Sequence, residues 1–221
     1  MQSTIGRHFT SSPQHRSLAL AMVAAVIVAD LLVLVLRFSE STRFAVALLA
    51  LAAFVALSDG DLSSLGLRAR PIQGWIPWIR TSAMIGCIVG VFVFAGLGIW
   101  HLSGHEIKIY SIDPAQGLSY FLYMCFTIPI LEEAIYRLLL CGSLATVVGN
   151  WTTIAISGIL FGGLHVGYGN PSPENLVGGF FLAWVYLKSE TILLPLLLHS
   201  LGNSIAFTGQ ILGWYYLQQT G

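Results

Sequence analysis

Asp30, Glu132, Glu133, Arg137, His165 and His199 are ionisable residues set in apolar segments of this chain, with Asn203 as a polar companion. An ionisable group inside a membrane costs roughly 2.5–3.5 kcal/mol on insertion scales, so each is a candidate for function. Glu132-Glu133-Ala-Ile-Tyr-Arg137 is the most informative stretch. Adjacent helical residues point about 100° apart, so the two carboxylates cannot share one task. Glu133 and Arg137 are spaced i,i+4 and can form an ion pair. Glu132 then faces elsewhere and is free to act as a general base. Phe161-Gly-Gly-Leu-His165 puts an aromatic ring and an imidazole on one helix face, and its glycines permit close approach of a neighbouring helix. His199-Ser-Leu-Gly-Asn203 aims two polar side chains at one point.

Taken singly, each motif also fits a structural role, as a charge network or a hydrogen-bonded histidine within a bundle. Together they supply the parts for amide hydrolysis without a covalent intermediate. Glu132 precedes Gly149 by 17 residues, and His165 follows Trp151 by 14. At about 1.5 Å per residue these lie about 25 Å and 21 Å from the turn between them, which places both side chains near one depth. Glu132 would take a proton from water, with His165 orienting it. His199 and Asn203 would donate hydrogen bonds to the developing oxyanion.

The elements that hold these residues must be helices in lipid. The 221-residue chain is 56% hydrophobic and 9% charged, with a mean hydropathy of +0.79. Soluble domains carry about 25% charged residues. Zero formal net charge removes any global attraction to nucleic acid. Cys87, Cys125 and Cys141 lie in apolar runs without metal or disulfide spacing and read as small core residues. The run from Leu18 to Leu36 exceeds a signal-peptide core and lacks a cleavage site, so it reads as a retained span.

The expected fold is an all-α polytopic transmembrane bundle of about seven spans. These are placed near 18–36, 44–57, 79–100, 117–148, 152–166, 176–187 and 192–217. The fourth is too long to be straight, and Pro129 and Gly142 are its expected bend points. Gly202, Gly209 and Gly213 allow an eighth short helix at the end of the seventh. Residues 1–17 read as a polar, mobile tail, and 18–221 as one transmembrane domain with a catalytic core near 117–208. Trp75 and Trp78 suit a membrane interface. An N-terminus on the cytoplasmic side puts Arg7, Arg16, Arg68, Arg70, Arg80 and Lys188 inside and Arg37, Arg43 and Lys108 outside, as the positive-inside rule prefers. The depth argument then places Glu132 in the outer half of the bilayer. Asp30 is assigned a structural role, pairing with an arginine elsewhere or lining a wet cavity.

E-E-x-x-x-R, F-x-x-x-H and H-x-x-x-N, in this order on three spans, resemble the CPBP intramembrane protease family. That family includes the CaaX prenyl endopeptidases and bacterial relatives linked to bacteriocin processing or immunity. The likeness covers roughly Leu118 to Phe207, and Leu65-Gly-Leu-Arg68 before the third span is also similar. The resemblance implies a glutamate-dependent endopeptidase with its site inside the bundle and no cofactor. Glu132 would activate water beside His165, His199 and Asn203 would form the oxyanion site, and Glu133, Arg137 and Phe161 would support them. Its substrate would be a membrane-associated protein or peptide, cut during maturation or sorting in a bacterial or archaeal inner membrane.

Two alternatives stand beside this reading. Glu132, His165 and His199 also form a two-histidine, one-carboxylate set for Zn²⁺. His101-x-x-x-His105 has metal-like spacing, but it contains a glycine and lies at a span end, so it reads as interfacial. Buried Glu, His and Arg also build ion pathways in transporters, or a partner-binding membrane protein without activity. Inverted repeats would favour a transporter, and the sequence has none.

Overall fold

The computed structural model describes residues 4–36, 38–106, 111–167, 169–170 and 173–220. Arg37 and Lys108, two of the charges used for orientation, lie outside the described residues, as do residues 1–3 of the expected tail. Every regular element among the described residues is helical.

A short helix α1 (Arg7–Ser11) leads into α2 (Pro13–Val35), whose N-terminal proline lacks only a hydrogen bond that a first turn would not make. Next come α3 (Glu40–Leu57) and α4 (Trp75–Leu102). Part of α2 (Pro13–Val33), α3 and α4 combine the length and hydropathy needed to cross a membrane. The protein is therefore an integral membrane protein.

The long stretch expected at 117–148 is a single rod of five segments. Three α-helical pieces, α5 (Gly117–Leu122), α6 (Ile128–Glu133) and α7 (Gly142–Val148), are joined by two π-helical stretches, Tyr123–Thr127 and Ala134–Cys141. Pro129 sits at the start of α6 and Gly142 at the start of α7, so both expected bend points mark segment boundaries. Wide π turns release backbone groups from the regular ladder and are common at functional sites. Gly149, at φ 79°, makes the left-handed turn into α8 (Asn150–Gly167). Then follow α9 (Pro173–Ser189) and α10 (Leu193–Thr220). α10 runs unbroken through Gly202, Gly209 and Gly213, so no separate eighth helix is cut from it.

Helices α8 and α9 form the tightest pair. A Cβ added at Gly158 would sit 2.6 Å from the Phe180 ring, and one at Gly162 would sit 2.7 Å from Leu176. Small residues at these positions let the helix axes close. Gly163, expected to share this role, has nothing within 4 Å.

The core runs across the bundle rather than along one pair. Phe9, Ala47, Phe54, Leu131, Tyr136, Leu139 and Phe161 belong to one buried cluster joining α1–α3 to the central rod. Within the segment read as a polar tail, Ile5 and Phe9 are buried and Phe9 joins this core. α4 lies apart, with only Trp78 buried. Trp78 meets Trp184 of α9 with ring centroids 5.5 Å apart. Cys125 and Cys141 are buried free thiols, while Cys87 is exposed on α4.

The Leu65–Arg68 segment acts as a latch on the turn between α9 and α10. Tyr186 donates its hydroxyl to the Leu65 carbonyl at 2.7 Å, and the Ile192 amide donates to Gly66 O at 2.8 Å. Arg68 lies 3.5 Å from Glu190, which also accepts from the backbone and hydroxyl of Thr4. This latch fixes where α10 begins, and α10 carries His199 and Asn203.

Candidate active site

Glu132 and Glu133 end α6, immediately before the second π-helical stretch. Both are buried, with 2% and 1% of their surface exposed, and Arg137 is fully buried. Uncompensated charges at such sites would cost several kcal/mol each, so their partners decide whether the arrangement is tenable.

Glu133 has a close ionic partner at each oxygen. Its Oε2 lies 3.0 Å from Arg137 Nε, the i,i+4 pair anticipated from spacing. Its Oε1 lies 2.9 Å from His199 Nδ1, a contact that spacing within one helix does not reveal. Arg137 also donates through Nη1 to Ser157 Oγ at 2.9 Å and stacks its guanidinium 5.0 Å from the Phe161 ring centroid. Ser157 in turn donates to the Tyr136 carbonyl at 3.3 Å.

Glu132 is held differently. Its Oε1 lies 3.9 Å from Arg43 Nη1 and its Oε2 lies 3.7 Å from His199 Nε2. Oε2 is screened from solvent and accepts no hydrogen bond among the described residues. Glu133 Oε2 also accepts no well-aligned hydrogen bond, but its arginine partner is 3.0 Å away, whereas the partners of Glu132 stand at 3.7 Å and 3.9 Å.

Arg43 is the residue the sequence reading misplaced. A span beginning at residue 44 leaves it in a loop, but α3 begins at Glu40 and Arg43 is 4% exposed. Its Nε donates to Asp30 Oδ1 at 2.5 Å and its Nη2 to Asp30 Oδ2 at 3.2 Å. Tyr136 OH donates to the same Asp30 oxygen at 3.4 Å. Asp30 thus pairs with an arginine, and that arginine stands between Asp30 and Glu132. A bidentate carboxylate contact fixes the guanidinium plane as well as its position.

Phe161 links the two histidines. Its ring lies 4.6 Å from that of His165 and 5.8 Å from that of His199, and it meets Tyr136 edge-on at 5.5 Å. His165 Nδ1 is 2.9 Å from the Phe161 carbonyl one turn back. A proton on Nδ1 donated there leaves Nε2 as the ring's lone-pair nitrogen. Asn203 Nδ2 donates to Met124 O at 2.7 Å, within the first π-helical stretch. That wide turn supplies the carbonyl, and the second amide proton of Asn203 remains for another acceptor.

The structure therefore gathers Glu132, Glu133, Arg137, Phe161, His165 and His199 through a chain of contacts. Asn203 is anchored one turn further along α10. Asp30, Arg43 and Ser157 join the network as additions.

Residues 114–205 match a family model described as type II CAAX prenyl endopeptidase Rce1-like. No curated protein and no solved structure matches the chain. Over residues 114–205, the segment that carries all the motif residues, the chain is similar to the Rce1-like family.

Proposed function

We propose that this protein is a glutamate-dependent intramembrane endopeptidase that cuts a peptide bond in a membrane-associated protein or peptide. The similarity of residues 114–205 to the Rce1-like family supports a protease. The observation that carries the finer reading is the unequal treatment of two adjacent carboxylates. Glu133 has arginine and imidazole nitrogens at 3.0 Å and 2.9 Å, while the arginine and imidazole partners of Glu132 stand off at 3.9 Å and 3.7 Å.

In this reading Glu132 accepts a proton from water, and the resulting hydroxide attacks the scissile carbonyl carbon. The carbonyl oxygen becomes an oxyanion that receives hydrogen bonds from His199 and from the free amide proton of Asn203. His199 Nδ1 lies 2.9 Å from Glu133, so Nε2 is the ring nitrogen that would donate to the oxyanion. The carbon–nitrogen bond then breaks, and Glu132 returns its proton to the leaving amine. The products are a carboxylate and an amine, and no covalent enzyme intermediate forms. His165 orients the water, with its ring braced on Phe161. The three helices long and apolar enough to cross a membrane support a site embedded in lipid.

The test is cleavage of a reporter transmembrane peptide by the purified protein in proteoliposomes, followed by mass spectrometry of the fragments. Wild type should release two fragments, and Glu132→Ala should release none. Undiminished cleavage by Glu132→Ala would remove the mechanism.

A further inference from the structure

His8, His15 and Asp59 come from three separate segments and converge at one end of the bundle, sharing no residue with the catalytic network. His8 lies on α1, His15 on the first turns of α2, and Asp59 in the turn that follows α3. His8 Nε2 is 3.3 Å and His15 Nδ1 is 4.0 Å from the same oxygen, Asp59 Oδ2. The two imidazole rings stack with centroids 5.8 Å apart and planes 27° from parallel. All three donor atoms lie within 4.8 Å of one another.

We propose that this cluster is a binding site for a borderline divalent transition cation of the Zn²⁺ type. Two imidazoles and one carboxylate are a common protein donor set for zinc, with water completing the tetrahedron. Bonds of about 2.0–2.2 Å at tetrahedral angles separate neighbouring donor atoms by about 3.3–3.5 Å. The His8–Asp59 separation of 3.3 Å already has that value. The His15–Asp59 separation exceeds it by a margin that side-chain rotation closes, and both side chains are partly exposed and able to turn. Two nitrogen donors disfavour Mg²⁺ and Ca²⁺, which take oxygen ligands.

Two further features suit a cation. His15 Nδ1 is screened from solvent and makes no hydrogen bond among the described residues. Asp61, whose carboxylate is held by Ser63 and Ser64, adds a second negative charge within electrostatic reach of His8. Asp59 itself adopts a left-handed backbone at φ 49°, which aspartate tolerates better than most residues. The bound ion would tie α1 and the start of α2 to the exit of α3. α1 carries Phe9 into the core against Phe54 of α3, so the ion would reinforce a packed contact. Binding to the folded state alone raises stability by mass action.

The experiment is calorimetric titration of zinc chloride into tag-free protein in detergent, paired with thermal melting with and without zinc. Wild type should bind one zinc per chain saturably and melt at a higher temperature in its presence. His15→Ala and Asp59→Asn should weaken binding by more than about tenfold and remove the zinc-dependent rise. Asparagine keeps the left-handed turn accessible, so the second variant retains the fold. Glu132→Gln and His199→Ala should bind zinc as wild type does, which separates this site from any metal at the catalytic residues. Absence of saturable zinc in wild type would overturn the proposal. So would loss of zinc in Glu132→Gln with retention in His15→Ala. Equal melting losses for His15→Ala and Asp59→Asn with and without zinc would reduce the cluster to a histidine–aspartate ion pair only.

Discussion

His199 Nδ1 sits 2.9 Å from Glu133 Oε1, while its other ring nitrogen sits 3.7 Å from Glu132 Oε2. One imidazole thus spans the two carboxylates and treats them unequally. Glu133 orients the ring, and Glu132 faces it across a wider gap. This contact turns two neighbouring glutamates into a base and a support. Glu132→Gln should lower the turnover of a cleaved reporter peptide by about 10²–10⁴-fold, the range for a lost general base. Glu133→Gln keeps the size of the side chain but loses charge at both of its contacts. It should cost about 10²-fold through misplacement of His199. Equal and complete loss in both variants, measured as single-turnover rates, would contradict the division of roles.

Arg43 is buried between Asp30 and Glu132, and removing one partner of such a set leaves an uncompensated charge. Arg43→Met should destabilise the protein by about 3–5 kcal/mol. The double variant Asp30→Leu with Arg43→Met removes the opposing charge as well and should recover much of that loss. Denaturant unfolding in detergent micelles reads both effects. A double variant as unstable as Arg43→Met alone would show that the pair contributes through packing rather than charge.

Much of the site was legible from spacing because helices are periodic. The i,i+4 rule gave Glu133–Arg137, and the shared face of Phe161 and His165 is borne out by their 4.6 Å ring contact. Pro129 and Gly142 fall where the long rod changes between π and α turns, without interrupting it. What spacing cannot give is which face of one helix meets which face of another. His199 was therefore assigned to an oxyanion with Asn203, and its contact with Glu133 went unseen. Arg43 was lost for a different reason, since Glu40, Ser41 and Thr42 before it read as loop. A depth argument would have found it. Asp30 lies six residues before Leu36 and Arg43 lies four after Ser39, so antiparallel α2 and α3 place them at nearly the same level. Charged triads such as His8, His15 and Asp59 lie beyond any local pattern, because three separate segments must fold before they meet.

The Tyr186 hydroxyl donates to the carbonyl of Leu65 at 2.7 Å, and both groups are buried. This bond holds the loop after α3 against the end of α9, ahead of the helix that presents His199. Tyr186→Phe keeps the ring and strands the carbonyl, so it should cost about 1–3 kcal/mol. Hydrogen–deuterium exchange should rise in the loop around residues 62–68. Exchange there identical to wild type would show that the backbone bond from Ile192 to Gly66 suffices as a latch.

Gly162 and Gly163 are neighbours in sequence with opposite surroundings, and they give a matched test of helix packing near the site. A Cβ at Gly162 would lie 2.7 Å from the Leu176 side chain and 3.1 Å from its Cα, so α9 would have to move. Gly162→Ala should therefore destabilise by about 1–3 kcal/mol, the usual cost of overpacking. Because Phe161 is the adjacent residue and its ring touches both histidines, the same variant should also slow cleavage. Gly163 has open space in the direction of a Cβ and a helical backbone. Gly163→Ala should stabilise by about 0.5–1 kcal/mol by removing the entropic penalty of a mid-helix glycine. Thermal unfolding of the two variants in one detergent compares them directly. If both destabilise alike, α8 packs on a second face that the contacts around Gly163 do not show.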